Sequence, residues 1–183
     1  MIHIKKATVK DAEHISYLGR KTFEESYGEF FENSNNLNEY LDSAFSLHKI
    51  TTSLQKPENI YWIAIKEDSS VPVGYAKLKL NSPTEFIKDT NVCKLQRIYV
   101  LQGYEGKGIG SKLHECVIKK VIDNDYNYLW LSNLKIKKQA VEFYKKKGYL
   151  VAGEHYFTIG EETFGFWAMK TKLCSKPKKS KDI

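Results

Sequence analysis

The segment Arg97-Ile-Tyr-Val-Leu-Gln-Gly-Tyr-Glu-Gly-Lys-Gly-Ile-Gly-Ser111 limits what this chain can fold into more than any other. An apolar strand ending with Ile98 and Val100 runs into a loop with glycines at 103, 106, 108 and 110. An amphipathic stretch follows at once from Lys112. Clustered glycines between a strand and a helix let backbone N–H groups approach a ligand closely. The positive end of the helix then faces that ligand. Such a turn suits an anion, most often a phosphate. Two common phosphate loops fail on spacing. Gly-x-x-x-x-Gly-Lys-Ser/Thr fails because Gly108 follows Lys107 and Leu101 stands five before Gly106. Gly-x-Gly-x-x-Gly fails because Ser111 stands three after Gly108. The pattern present is Gly-x-Gly-x-Gly, and its plain alternative is a loop with glycines for turns only.

A chain of 183 residues fits one domain with ample apolar content for a core. No stretch approaches ~18 uninterrupted apolar residues, so no membrane span is expected. The opening residues lack the long apolar region of a signal peptide. Cys93, Cys116 and Cys174 are far apart and outside any metal spacing. A reduced, cytoplasmic protein is the simplest expectation. The five histidines form no close pair, which argues against a zinc site, and no metal is expected. A net charge of +7 invites a nucleic-acid partner. Its distribution argues against one: positions 23–47 hold no Lys or Arg but carry Glu24, Glu25, Glu29, Glu32, Glu39 and Asp42. The basic residues gather after position 100, and 174–183 is a Lys-rich tail expected to be disordered. The domain is therefore expected to span 1–173.

Ile2 and Ile4 alternate with polar neighbours as a first strand would. Thr8 and Asp11 form an approximate capping box before a stripe of Ala12, Ile15, Leu18, Phe23 and Tyr27. Ser34 is expected to cap a second helix carrying Leu37, Leu41 and Phe45, and a third covers Leu47 to Leu54, closed by Pro57. Strands are expected at 60–65, 73–80, 92–100 and 128–131, with a closing pair at 151–159 and 163–171. Leu113, Val117, Val121 and Ile122 mark the helix after the glycine loop. Ala140, Phe143 and Tyr144 mark another that stops at Gly148. The mixture indicates a compact α/β or α+β domain.

In this order and spacing the chain resembles the GNAT N-acetyltransferase superfamily over roughly residues 1–173. The opening Ile-His-Ile-Lys-Lys-Ala-Thr, Val73-Gly-Tyr-Ala-Lys77, Arg97-Ile-Tyr-Val100 with Gly106-Lys-Gly-Ile-Gly-Ser111, and Ala140-Val-Glu-Phe-Tyr-Lys-Lys-Lys-Gly-Tyr149 carry the match. Phe23-Glu-Glu-Ser-Tyr27 and the helix before Pro57 look further like the PaiA-type polyamine branch. The resemblance implies a mixed, mostly antiparallel sheet of about six to seven strands flanked by helices. It implies acetyl-CoA as co-substrate, and direct transfer to a primary amine such as spermidine or spermine. Backbone groups of Ile98, Tyr99 and Val100 would hold the pantetheine arm. Glu105 opens the loop, and N–H groups of Gly106, Lys107, Gly108, Ile109, Gly110 and Ser111 would take the pyrophosphate. Lys107, Lys137 and Lys146 would neighbour the CoA phosphates. Tyr144 would protonate or hydrogen-bond the CoA sulfur. Glu24 and Tyr27 would contact the acceptor.

Two residues depart from the family. Glu105 stands where Gln or Arg is usual, and an acidic side chain cannot help hold a pyrophosphate. Lys137 replaces a frequent Asn, and could reach a phosphate only as a point charge. The general base is not legible; Glu24, Glu25, Tyr27, Glu85, Asp89 or a water chain could serve. The alternative function is a non-catalytic CoA-sensing or nucleic-acid-binding regulator on the same fold. The partners expected are a small amine and no membrane, with a homodimer left open.

Overall fold

The computed structural model describes residues 1–173. The basic tail at 174–183 lies outside the described residues. The first strand, β1 (Ile2–Lys6), leads to Asp11, which starts the helical layer. The Asp11 carboxylate accepts from the Thr8 N–H at 2.8 Å and from Thr8 Oγ1 at 3.2 Å. Lys5 Nζ donates to its other oxygen at 2.7 Å. The expected capping pair thus closes a 3₁₀ turn at Val9–Asp11, and α1 (Ala12–Tyr27) follows directly. In α1, Ile15 and Leu18 are fully buried and Phe23 nearly so, the stripe a helical period predicts.

The next helix, α2 (Ser34–Ala44), corrects one expectation. Ser34 is its first helical residue, and Asn33 is the cap, its side-chain oxygen accepting from the Asn35 N–H at 2.9 Å. Phe45, expected in the helical stripe, lies just past the helix end and is fully buried. Ser46 caps α3 (Leu47–Gln55) by accepting from the Lys49 N–H at 3.2 Å.

The remaining elements are β2 (Asn59–Lys66), β3 (Val71–Lys79), β4 (Val92–Val100), α4 (Ile109–Asp123), β5 (Tyr128–Leu134), α5 (Lys138–Lys146), β6 (Leu150–Ile159) and β7 (Glu162–Lys172). Seven strands form one sheet in the order β1-β2-β3-β4-β5-β7-β6. Every neighbouring pair is antiparallel except β4 and β5, which run parallel. A parallel pair needs a crossover, and α4 supplies it.

Helices cover both faces, so the apolar residues divide into two main clusters rather than a single core. On one face Leu113, Val117 and Val121 of α4 and Tyr144 of α5 pack on Ala76, Leu78 and Leu95. On the other, α1, α2 and α3 pack on Tyr61, Ile63 and Tyr75. Leu113, Val117 and Val121 are wholly buried, each contributing about 1.5–3 kcal/mol by the usual burial scale. The central strands carry both faces at once: Leu78 faces α4, while its neighbour Lys77 points to the α3 side.

Candidate active site

β4 opens the site because its pairing with β5 is short. The register runs only from Val92↔Tyr128 to Lys94↔Trp130. Beyond Lys94 the two parallel strands part, while β4 stays paired to β3 as far as Val100. One edge of Arg97–Val100 therefore presents backbone N–H and C=O groups to an open slot. Buried backbone groups need partners, so an extended ligand that pairs like a strand suits this edge. A bulge accompanies the parting. Lys77 faces Arg97 and Leu78 faces Leu95, so Gln96 is an extra residue on β4. A bulge bends its strand and increases the local twist.

At the end of the slot stands the N-terminus of α4. It begins at Ile109, three residues before the expected Lys112. The backbone of Gly108 at the cap is left-handed, with φ 78°. No side chain caps this end, and no acidic residue lies in its first turn. The first intrahelical donor is the Lys112 N–H, on Gly108 O at 3.1 Å. The N–H groups of Ile109, Gly110 and Ser111 are left with no partner in the helix. Gly110 has an ordinary helical backbone, and a Cβ built on it would meet nothing within 4 Å. The fold itself does not require glycine there, and the missing side chain leaves the backbone open to an approaching anion. Gln102 anchors the start of the loop, its N–H donating to Glu25 Oε2 at 2.9 Å.

Tyr144 sits on α5, which follows β5 directly. Of the face expected from sequence, Tyr144 is buried but Ala140 and Phe143 are only half-buried; Val141, three residues before Tyr144, is its buried companion. Its ring packs edge-on against Phe143 and Tyr149, with centroids 5.2 and 5.4 Å away. Its hydroxyl has no hydrogen-bond partner among the described residues. Burial, with Tyr99 adding, pushes its ionisation well above the ordinary phenol range. Tyr144 is thus a phenol that stays protonated and has an uncommitted O–H.

On the opposite face of β4 lies a cleft of about 210 Å³, walled by α1, α2 and the β6–β7 hairpin. Its walls are aromatic: Phe23, Tyr27, Phe31, Tyr40, Phe45, Tyr99, Phe157, Phe164 and Phe166. Its polar lining is Lys94, Gln96, Arg97, Ser132 and His155, and contains no carboxylate. The Arg97 guanidinium lies 4.3 Å from the centre of the Phe45 ring and has no ion-pair partner among the described residues. Lys94 lies 4.1 Å over Trp130; burial, then Lys79, pushes its ammonium down to about 8. His155 stacks on Phe166 at 5.4 Å and shares a 2.9 Å hydrogen bond with Ser132. Burial and then Lys94 lower its pKa, Glu85 opposing, so it is neutral near pH 7.

The sequence-derived site residues fall into three groups. Ile98, Tyr99 and Val100 border the slot; Ile98 and Val100 pack toward α4, and Tyr99 lines the cleft. Gly106, Lys107, Gly108, Ile109, Gly110 and Ser111 lead into and open α4. Tyr27 lines the cleft edge-on to Tyr99 at 6.3 Å; burial pushes its hydroxyl up to about 12, with a hydrogen bond to Tyr99 opposing and Tyr144, Tyr40 and Tyr75 adding. The charged residues are more scattered. Glu105 is exposed, which leaves the loop backbone free of its charge. Lys107 Nζ donates to Gly103 O at 2.7 Å, and Lys146 is exposed in the last turn of α5. Lys137 reaches Glu29 at 3.7 Å and lies 5.0 Å over Phe30. Glu24 is exposed beside Lys21 at 3.7 Å and is not among the cleft-lining residues. Of the other proton acceptors considered, Glu25 holds the loop and Asp89 accepts from Asn91 and Asn127.

Sequence reasoning gave no role to Arg97, His155 or Ser132. Arg97 carried a usable signal. It alternates with Ile98 and Val100, so it faces away from α4 on a central strand, where a charge needs a reason. His155 and Ser132 meet only through β5–β7–β6 pairing, which no local pattern reveals.

Among the described residues no group of three or more His, Cys, Asp or Glu could hold a metal, and no helix is long and apolar enough to cross a membrane. An uncharacterized N-acetyltransferase in the pepI 3′ region of Lactobacillus delbrueckii subsp. lactis is 25% identical over 173 residues, covering 94% of this chain and 98% of that protein. N-acetylaspartate synthetase of Xenopus tropicalis is 27% identical over 109 residues, 58% of this chain and 37% of that protein. The crystal structure of PaiA N-acetyltransferase from Thermoplasma acidophilum in complex with coenzyme A superposes with a TM-score of 0.76 at 19% identity, covering 94% of this chain and 99% of that one. That structure and this chain share one fold. Residues 20–149 match the Acetyltransferase (GNAT) family, and the chain belongs to that family, an acyltransferase fold whose co-substrate is acetyl-CoA.

Proposed function

We propose that this chain moves the acetyl group of acetyl-CoA directly onto a primary amine of a small acceptor held in the aromatic cleft. The observation that carries it is the meeting of three features along β4: a strand edge without a partner, an uncapped helix start, and a phenol with a free O–H. The pantetheine arm pairs with the Ile98–Val100 edge, and a backbone N–H there polarises the thioester carbonyl. The pyrophosphate sits on the N–H groups of Gly106 to Ser111.

The acceptor must lose a proton to attack, since a free alkylammonium has a pKa near ~10. His155 is the one cleft-lining imidazole and is neutral near pH 7, so it suits the task of proton acceptor. The amine nitrogen attacks the carbonyl carbon and the C–N bond forms; the nitrogen, now cationic, gives up its second proton to solvent, and the C–S bond breaks as the thiolate departs. A CoA thiolate is a weaker base than tyrosinate, with a thiol pKa near ~8.5. Tyr144 therefore serves by donating a hydrogen bond to the sulfur, and the sulfur takes its proton from the medium.

A polyamine such as spermidine or spermine is the second form of the proposal, supported by the acidic run on α1 and α2. Several of those carboxylates are engaged outside the cleft: Asp42 with Arg20, Glu29 with Lys137, Glu25 with the loop. The cleft's own charged lining is cationic, which favours acceptors with fewer ammonium groups. The relatives do not share one named acceptor. CoA release from acetyl-CoA, measured with a mixed panel of amines, amino acids and spermidine, tests the proposal. Tight acetyl-CoA binding with no release for any acceptor, together with salt-sensitive DNA affinity, would favour the regulator instead.

A further inference from the structure

Gln96, the extra residue of the β4 bulge, lines two cavities at once. One is the aromatic cleft. The other, of about 260 Å³, lies between α3 and the β2–β3–β4 surface. It holds Lys49, Lys56, Lys77 and Lys79 against a single carboxylate, Glu58. None of these lysines has an ion-pair partner among the described residues.

Lys77 is the unusual member. It is only 8% exposed, and its Nζ stands 5.3 Å from the Tyr61 ring centre. Across the β3–β4 pair it faces Arg97, itself without a carboxylate. Burial first, then Arg97, Lys79, Lys56 and Lys49, push its ammonium down to about 7. Cations brought this close repel one another, and a buried one without a counter-charge is costly. Nothing in the packing explains their gathering, but an anion between them would relieve it.

That anion is not the CoA pyrophosphate. The glycine loop and α4 pack on the Ile98 and Val100 side of the sheet, whereas α3, Tyr61 and Tyr75 pack on the other. The lysine cavity instead adjoins the acceptor side, with Gln96 lining both.

We propose that Lys77 and Arg97, with the lysines around them, bind an anionic group carried by the amine acceptor. The acceptor is then a small molecule with a primary amine at one end and a carboxylate or phosphate at the other. It lies from the aromatic cleft across Gln96 into the lysine cavity. This rests on the amine-transfer proposal above and narrows its substrate class.

The test is a matched series: ω-amino acids of graded length, the n-alkylamines of equal length, the corresponding ω-aminoalkyl phosphates, and spermidine. CoA release is followed for each with the wild type, Lys77→Met and the exposed double variant Lys49→Gln/Lys56→Gln, after their melting curves are compared. At one chain length the anionic acceptor should exceed its alkylamine by at least about tenfold in kcat/KM, as one charge-assisted contact allows. That preference should shrink toward unity in Lys77→Met and decline with added salt. The double variant gives the same readout should Lys77→Met fail to fold. Whether carboxylates or phosphates lead names the group. Equal use of alkylamines, or a preference for spermidine, would overturn the proposal and leave amine transfer intact. If no amine is acetylated, amine transfer fails, and calorimetric titration of glutarate and inorganic phosphate decides the site alone. Binding that Lys77→Met weakens at least tenfold upholds it, and absence of binding overturns it.

Discussion

Gly110→Ala separates the fold's needs from the ligand's, because the two respond with opposite sign. Gly110 is the second residue of α4, in ordinary helical conformation, with open space where a Cβ would stand. Alanine there lowers the entropy of the unfolded chain and raises helix propensity by roughly 0.5–1 kcal/mol, with the lower figure apt at a helix start. The unliganded melting temperature should therefore rise by about 1–2 °C, at about 2–4 °C per kcal/mol for a chain of this size. Acetyl-CoA should bind more weakly. The new methyl stands beside the free N–H groups of the first turn and holds a phosphate off them. Losing one charge-assisted hydrogen bond costs about 1.5–3 kcal/mol, or about 10- to 100-fold in Kd. Melting curves with and without CoA, together with calorimetric titration, read both effects. The variant should melt higher alone and gain less from ligand. An unchanged Kd would refute the pyrophosphate assignment at this helix start. A lowered unliganded melting temperature would refute the claim that the fold leaves the position free.

Three further outcomes are expected. Tyr144→Phe should lower turnover by about 10- to 100-fold while leaving the Kd for acetyl-CoA near wild type, because the O–H acts on charge that develops at sulfur; single-turnover kinetics with direct binding measurement checks it. Burial, then Lys147, pushes buried His114 down to about 4, where its ring shares a 2.9 Å bond with the Tyr149 hydroxyl. The unfolded chain takes up that proton near ~6.5 and the folded chain does not, so stability should fall as pH drops from about 6.5 toward 4, by on the order of 3 kcal/mol; urea titrations at stepped pH should show this slope in the wild type and lose it in His114→Gln. Burial pushes the Asp11 carboxyl up, but Lys5 and the Thr8 N–H outweigh it and hold it below the usual range. Its stabilisation is therefore present above pH ~4 and lost as pH falls through the lowered folded value; Asp11→Ala should cost about 1–2 kcal/mol at pH 7 by chemical denaturation.

How legible the site was depended on how local its chemistry is. The glycine loop could be read because the strand, turn and helix start lie within fifteen consecutive residues. Tyr144 could be read because its helix carries a recognisable run ending at Gly148. The parting of β4 from β5 could not, since it depends on where a parallel register ends. The acidic run at 23–47 pointed to a cationic acceptor, but composition does not say which way a side chain turns. Glu24 turns to Lys21 and solvent, Glu25 to Gln102, and Glu29 to Lys137. The cationic lining came instead from strands distant in sequence, with Lys77 on β3 meeting Arg97 on β4. Asn33 displaced Ser34 as a cap for a smaller reason: both are good caps, and adjacent candidates cannot be ranked without the backbone.

The bulge at Gln96 ties the two halves of the site together. β4 parts from β5 after Lys94, and the extra residue falls two positions later. The added twist that a bulge brings is what a strand needs to leave one neighbour while keeping the other. The insertion also resets the alternation. Leu95 faces the α4 core, yet Arg97 faces the opposite side together with Tyr99. With the extra residue set aside, Leu95 and Arg97 are successive paired positions, against Leu78 and Lys77. They therefore point to opposite faces, whereas in an unbulged strand positions 95 and 97 would share one. The same irregularity therefore accompanies the parting of β4 from β5 and sets the Arg97 guanidinium in the aromatic cleft. In the binding mode proposed above, Glu105 is no obstacle, because the slot and the α4 start would act through backbone groups, while the charged side chains assigned to the acceptor stand on the far face of the sheet.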